Sequence, residues 1–185
     1  IGIVSTEGGQ PVINLTDSGY TDSSPKWVLG GNAILFISER YGMRNHASWG
    51  TLEDVMIVFL NRKAYDEFKM TKEELELEKQ IAELSGKKKE DKKEDKKEKV
   101  EEIAVELDGI EDRIVRLTPS SCNLGYAELS KDGRTLYYQA AYESGMNLWK
   151  YDIQKGTPTK IGTANGKMLW DSKFKTLYVL GGRFM

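Results

Sequence analysis

Apolar and polar positions alternate with a period of two in short runs along most of this chain, and the runs come in pairs. In "LSKDGRTLYY" (129–138) two apolar flanks enclose a Lys-Asp-Gly-Arg turn. Asp-Gly takes the backbone angles of a tight turn at little cost, so the pattern predicts a β-hairpin. "WDSKFKTLYV" (170–179) and "WVLGGNAILF" (27–36) repeat the layout with different turn residues. Trp27, Leu129 and Trp170 hold equivalent places, and Ile34, Leu136 and Leu177 follow them by seven residues.

A second marker precedes each hairpin: "VINLTDSG" (12–19), "IVRLTPSS" (114–121) and "TKIGTANG" (159–166). Leu15 and Leu117 each stand twelve residues before the hairpin marker, and Ile161 stands nine before it. Leu129 and Trp170 are 41 residues apart, whereas Trp27 and Leu129 are 102 apart. A period of about 40 residues built from short strands is the signature of propeller blades. The third unit reads most plainly, with "GYAELS", "RTLYYQAA", "NLWKYDI" and "TKIG" as four successive strands. Runs such as "ILFI" and "VMIVFL" are apolar on both faces, as stacked sheets require. A small β-sandwich would also contain hairpins, but it has no reason to repeat both markers in one order.

The expected fold is therefore all-β: a partial β-propeller of antiparallel four-stranded blades, with one helical and Lys/Glu-rich insertion. Residues 1–16 read as outer strands of a preceding blade. Residues 17–118 form a blade with insertions at about 41–52 and 62–110, residues 119–163 form another, and 164–185 begin a following one. About three periods cannot close a ring of the usual four to eight blades, so a larger closed propeller is expected.

The large insertion contains a punctuated helix, expected at about 72–85. Thr71 and Glu74 form a capping box, and Met70 and Leu75 are spaced as a hydrophobic staple. Leu77, Ile81 and Leu84 share one face, which should pack on the outside of the propeller, and Gly86 ends the helix. Residues 87–99 are charged without a break and have nothing to bury, which reads as a solvated spacer. Residues 101–118 return to a strand pattern.

Charge and composition narrow the function. The 27 basic and 29 acidic side chains leave a net charge of −2, without the concentrated Lys and Arg that nucleic acid requires. No apolar run approaches the roughly 20 residues of a spanning helix. Cys122 is alone, so no internal disulfide forms. The chain shows no signal peptide and starts at Ile1, which reads as a processed protein or an excised piece of a longer one.

Candidate chemistry is sparse. His46 is the single histidine, so a Ser-His-acid triad would have to combine it with Ser48 and Glu53 or Asp54. No G-x-S-x-G elbow accompanies them, and a polar loop explains these residues better. The spacing of Cys, His and acids fits no metal site, and no glycine run fits a phosphate cradle. No catalytic residue, metal or cofactor is expected. The loop at 41–52 is the best ligand or partner candidate, through Tyr41, Arg44, His46 and Trp49. The competing reading is that Met43 and Trp49 plug a gap between this loop and the helical insertion.

"LTDSGYTDSSPKW" followed by "AILFISER" resembles the repeat of TolB-type propellers. "GMRNHASWGTLEDV", "FLNRKAYDEFKMTKEE" and "IAVELDGIEDRIVRLTP", with a Lys/Glu-rich tract between the last two, resemble the tricorn-like serine peptidases of bacteria. The resemblance implies a periplasmic or otherwise exported peptidase in which the propeller guides or filters peptides and supports assembly. The implied partners are the remaining blades and the catalytic domain of the parent chain, together with peptide substrates. A homo-oligomer is compatible with it. None of the catalytic motifs falls in these residues, so the segment itself is expected to be inactive.

Overall fold

Two four-stranded antiparallel meanders stack face to face, with a two-stranded sheet beyond each. The computed structural model describes residues 1–44, 50–84, 103–142 and 145–181. Strands β1 (Gly2–Ile3) and β2 (Ile13–Asn14) pair first. The first meander comprises β3 (Asp22–Val28), β4 (Ala33–Ser38), β5 (Asp54–Phe59) and β6 (Ile114–Arg116), in that order. The second comprises β7 (Asn123–Leu129), β8 (Thr135–Ala141), β9 (Asn147–Asp152) and β10 (Thr157–Thr163). A last hairpin joins β11 (Lys167–Trp170) to β12 (Leu177–Leu180). The chain is an all-β, partial propeller with a helical insertion between β5 and β6.

The repeated hairpin markers occupy one register. Trp27 pairs with Ile34, Leu129 with Leu136, and Trp170 with Leu177. The connection after Leu129 uses four residues rather than two. Gly133 N–H bonds Ser130 O at 2.9 Å, and Ser130 N–H bonds Thr135 O at 2.9 Å. Gly133 has φ 72°, a value that glycine adopts without a Cβ clash. The last hairpin closes in the same way, with Asp171 N–H on Thr176 O. Each first strand also carries a one-residue bulge, between Ser23 and Lys26 and between Leu124 and Ala127.

Alternation along β4 and β5 sends side chains to two cores, which is why both strands are apolar throughout. Ala33, Leu35, Val55, Ile57 and Phe59 meet Leu129, Leu136, Tyr138 and Ala140 of the second meander. Ile34, Phe36, Met56 and Val58 face the other way, against Ile1, Ile3 and Leu15. Burying one such side chain contributes about 1.5–3 kcal/mol, so this double-sided layer dominates stability.

The insertion differs from expectation in three ways. A helix precedes the predicted one: α1 (Arg62–Lys69), capped by Asn61, whose side chain accepts from Ala64 N–H at 2.9 Å. The predicted helix is α2 (Lys72–Leu84), and its capping box forms. Thr71 N–H bonds Glu74 Oε2 at 2.8 Å, and Glu74 N–H bonds Thr71 Oγ1 at 3.2 Å. Its stripe does not pack on the propeller, however: Leu77, Ile81 and Leu84 are 57%, 56% and 89% exposed. The reason is that α1 takes the seat, stacking Phe68 on Phe59 at 4.8 Å between ring centroids.

The return is also not a continuous strand. Residues 103–110 lie outside any strand, Glu111–Arg113 is a 3-10 turn, and only Ile114–Arg116 joins the sheet. Arg113, 2% exposed, holds this segment by donating to the carbonyls of Phe59, Glu106, Asp108 and Gly109. A guanidinium presents five donors and gathers carbonyls that a strand ladder would otherwise satisfy. The charged tract at 87–99 lies outside the described residues.

Candidate functional site

The rim where β4 leads to β5 and β6 leads to β7 carries the main cluster of exposed aromatic and cationic groups. The arms of the 41–52 loop approach each other closely. Leu52 N–H bonds Met43 O at 3.1 Å, and Arg44 bridges Thr51. A Cβ on Gly42 would lie 1.5 Å from Leu52 O, so no other residue fits there.

Asp54 anchors the base of the rim. It heads β5, is fully buried, and accepts from Arg116 Nε at 2.8 Å, Thr118 Oγ1 at 2.6 Å and Ser121 Oγ at 2.7 Å. Three donors, one of them a cation, satisfy a carboxylate that would otherwise cost several kcal/mol to bury. The clamp fixes Arg116, whose guanidinium carbon sits 5.5 Å from the ring centre of Tyr41. Arg44 lies 4.6 Å from the ring centre of Tyr20. Two tyrosine–guanidinium pairs thus stand on the rim, with Tyr20 45% and Tyr41 56% exposed.

Acidic groups lie beneath. Both carboxylate oxygens of Asp22 are buried without a hydrogen-bond partner, and Arg40 Nη2 is 4.0 Å from Oδ2. Burial, and then the nearby Glu39, push the Glu53 carboxyl above its ordinary value. Burial pushes the Cys122 thiol up to about 11. Ser121 Oγ donates directly to Asp54, a carboxylate that also accepts from Arg116 and Thr118. Among the described residues, no group of three His, Cys, Asp or Glu side chains could hold a metal.

Tyr41 and Arg44 of the sequence-predicted loop are on this rim, each in a cation–π pair. His46 and Trp49 lie outside the described residues. Met43 is 69% exposed, so it does not plug a gap beside the insertion. Sequence reasoning missed Tyr20 and Arg116, and it named Asp54 only as an alternative acid beside His46. The readable signal was a single acid heading the otherwise apolar strand "DVMIVF". A separate cleft of about 330 Å³ opens between the two bulges, lined by Pro25, Lys26, Gly125 and Tyr126. Lys26 Nζ crosses it to Ala127 O at 2.9 Å and Glu128 Oε1 at 2.5 Å.

No family model matches this sequence, and no curated protein matches it. Among solved structures the chain is similar to the tricorn protease, with a TM-score of 0.58 and 11% identity, over 96% of this chain and 17% of that one. It is also similar to TolB from Acinetobacter baumannii, with a TM-score of 0.51 and 12% identity, over 95% of this chain and 30% of that one. Both likenesses are of fold, and this chain spans less than a third of either protein.

Proposed function

We propose that this chain is a non-catalytic propeller segment of a tricorn-like serine peptidase, guiding or filtering peptide substrates and supporting assembly in the periplasm or another exported compartment. The observation that carries the reading is the rim of paired tyrosines and arginines. Tyrosine rings offer contact area at low entropic cost, and guanidinium groups donate to peptide carbonyls and carboxylates. Exposed pairs of this kind give weak, sequence-tolerant contacts, which suit passage of a peptide better than tight capture. The platform beneath is rigid because Asp54 ties the two loops together.

The test is fluorescence anisotropy with labelled, unstructured peptides from a casein digest. Weak binding is expected, reduced several-fold in Tyr41→Ala and in Arg44→Ala, with no peptide cleaved. Absence of binding, or binding indifferent to both substitutions, sinks the reading. The fold likeness to TolB favours a second reading: a protein-binding scaffold with no protease attached. That scaffold would retain a folded protein partner and ignore the peptide digest.

A further inference from the structure

The cleft between the two meanders has lips made by the two bulges. On one, Ser24 and Pro25 stand opposite Phe36 alone; on the other, Gly125 and Tyr126 stand opposite Gln139 alone. The floor is apolar and buried, with Leu35 and Val55 from the first meander and Ala127 from the second. The volume of about 330 Å³ lies at the low end of ligand pockets and suits one large side chain. Ser24 has φ 54°, a left-handed value on a residue with a Cβ, immediately before a proline. Strained steps of this kind persist where the surrounding structure imposes them, and they cluster at ligand clamps. Exposed Pro25 tops one lip, and Tyr126, 42% exposed, tops the other.

We propose that this cleft takes one large apolar side chain of an extended peptide, aliphatic or aromatic, while Lys26 donates to the peptide carbonyl beside it. The proposal rests on the peptide-guiding reading and names what the guided peptide must carry. Charge selects an apolar occupant. Lys26 is already paired with Glu128 at 2.5 Å, so a charged side chain would give up its water for apolar walls and a neutral pair. The donor count leaves room for a carbonyl. An ammonium has three donors, and among the described residues Ala127 O and Glu128 Oε1 take two of them. Position selects a peptide. Tyr20 of the rim stands four residues before Ser24, and Ser121, bonded to Asp54, stands five before Tyr126. Four or five strand residues span at most roughly 13–17 Å, so a peptide of about five residues lying on the rim reaches the cleft.

The cleft adds selection to a rim that tolerates any sequence. Large apolar side chains are mostly buried in folded proteins and exposed in unfolded chains. A site that needs such a side chain on an extended backbone therefore admits unfolded peptides and passes over folded surfaces. The Tyr126 ring and the Pro25 ring supply contact area with few torsions to freeze, which keeps the cost of capture low.

The experiment titrates the isotope-labelled 185-residue chain with acetylated, amidated pentapeptides Gly-Gly-X-Gly-Gly and follows its amide chemical shifts. X is Leu, Phe, Gly or Asp. The Leu and Phe peptides should bind roughly tenfold or more tightly than the Gly and Asp peptides, with shifts centred on Lys26, Tyr126 and Ala127. Tyr126→Ala should weaken the Leu peptide several-fold, and Tyr126→Phe should not, because the ring rather than the hydroxyl forms the lip. Lys26→Met with Glu128→Gln, which leaves no unpaired charge, should weaken the Leu and Phe peptides by one common factor. Absence of shifts at the cleft, or equal binding of the Leu and Gly peptides there, overturns the inference. Shifts centred on Tyr20, Tyr41 and Arg44 alone overturn it and leave the peptide-guiding rim standing. Cleft shifts that persist in Tyr41→Ala and Arg44→Ala uphold it and remove the rim from the reading.

Discussion

Gln139 grips both backbone groups of Gly166 across the gap between the second meander and the last hairpin. Its Nε2 donates to Gly166 O at 2.7 Å, and its Oε1 accepts from Gly166 N–H at 3.1 Å. The side chain is fully buried, so these two bonds are its main justification. Gln139→Ala is expected to lower the unfolding free energy by about 2–3 kcal/mol, because both Gly166 groups lose their partner away from water. Gln139→Leu should be no better, although it fills more space. Urea titration checks both variants, and a loss confined to the alanine variant would point to a simple cavity instead. Gly166 is equally constrained: its φ is 146°, and a Cβ there would lie 2.3 Å from Leu180 O.

Arg134 ties the insertion to the second meander. It donates to Phe68 O at 2.7 Å, Met70 O at 3.2 Å and Glu67 O at 2.9 Å, satisfying carbonyls at the C-terminal end of α1. Positive charge there also suits the helix dipole. Arg134→Ala should cost about 1.5–3 kcal/mol, and Arg134→Lys should recover little, because an ammonium cannot fork to three carbonyls. Hydrogen exchange should rise at α1 before it rises at β5. Protection of α1 in both variants equal to that in the unsubstituted chain would overturn this assignment.

The strands were legible because repetition supplies its own check. A Trp27–Ile34 spacing that recurs at Leu129–Leu136 and Trp170–Leu177 states a register as well as a strand. The α2 start was legible for a similar reason, since Thr71 and Glu74 satisfy each other locally. Features that depend on distant partners were not. The seat under the insertion went to Phe68 through its fit to Phe59, which no local pattern encodes. Residues 103–110 look like a strand, but Arg113 supplies the hydrogen bonds that a ladder would have supplied. On the rim, Asp54 and Arg116 are 62 residues apart, and only the return of β6 beside β5 brings them together.

Cys122 should be nearly inert while the chain is folded. It is 3% exposed, and burial holds its thiol up to about 11, so the thiolate that reacts is scarce at pH 8. Labelling by a thiol-specific disulfide reagent at pH 8 should be about a hundredfold slower than in denaturant, or slower still. Its rate should follow opening of the β-bridge between Cys122 and Glu53. Labelling as fast as that of an unfolded chain would contradict this environment.

Glu53 gives the rim a pH dependence of definite sign. Burial, then Glu39, raise its carboxyl above the unfolded value of 4.5, with only the Leu124 N–H opposing them. The folded chain therefore binds a proton more readily than the unfolded chain. At pH 7 the group is ionised in both states, and folding bears the whole cost of the buried charge. As pH falls through the raised value the folded chain takes up the proton first, and that cost is relieved. Glu53→Gln should accordingly raise the thermal midpoint at pH 7, with the gain shrinking as pH approaches 4.5. The difference between the two chains isolates this group from other acids. A gain that stays constant from pH 7 to pH 4.5 would show that Glu53 acts through packing rather than through its charge.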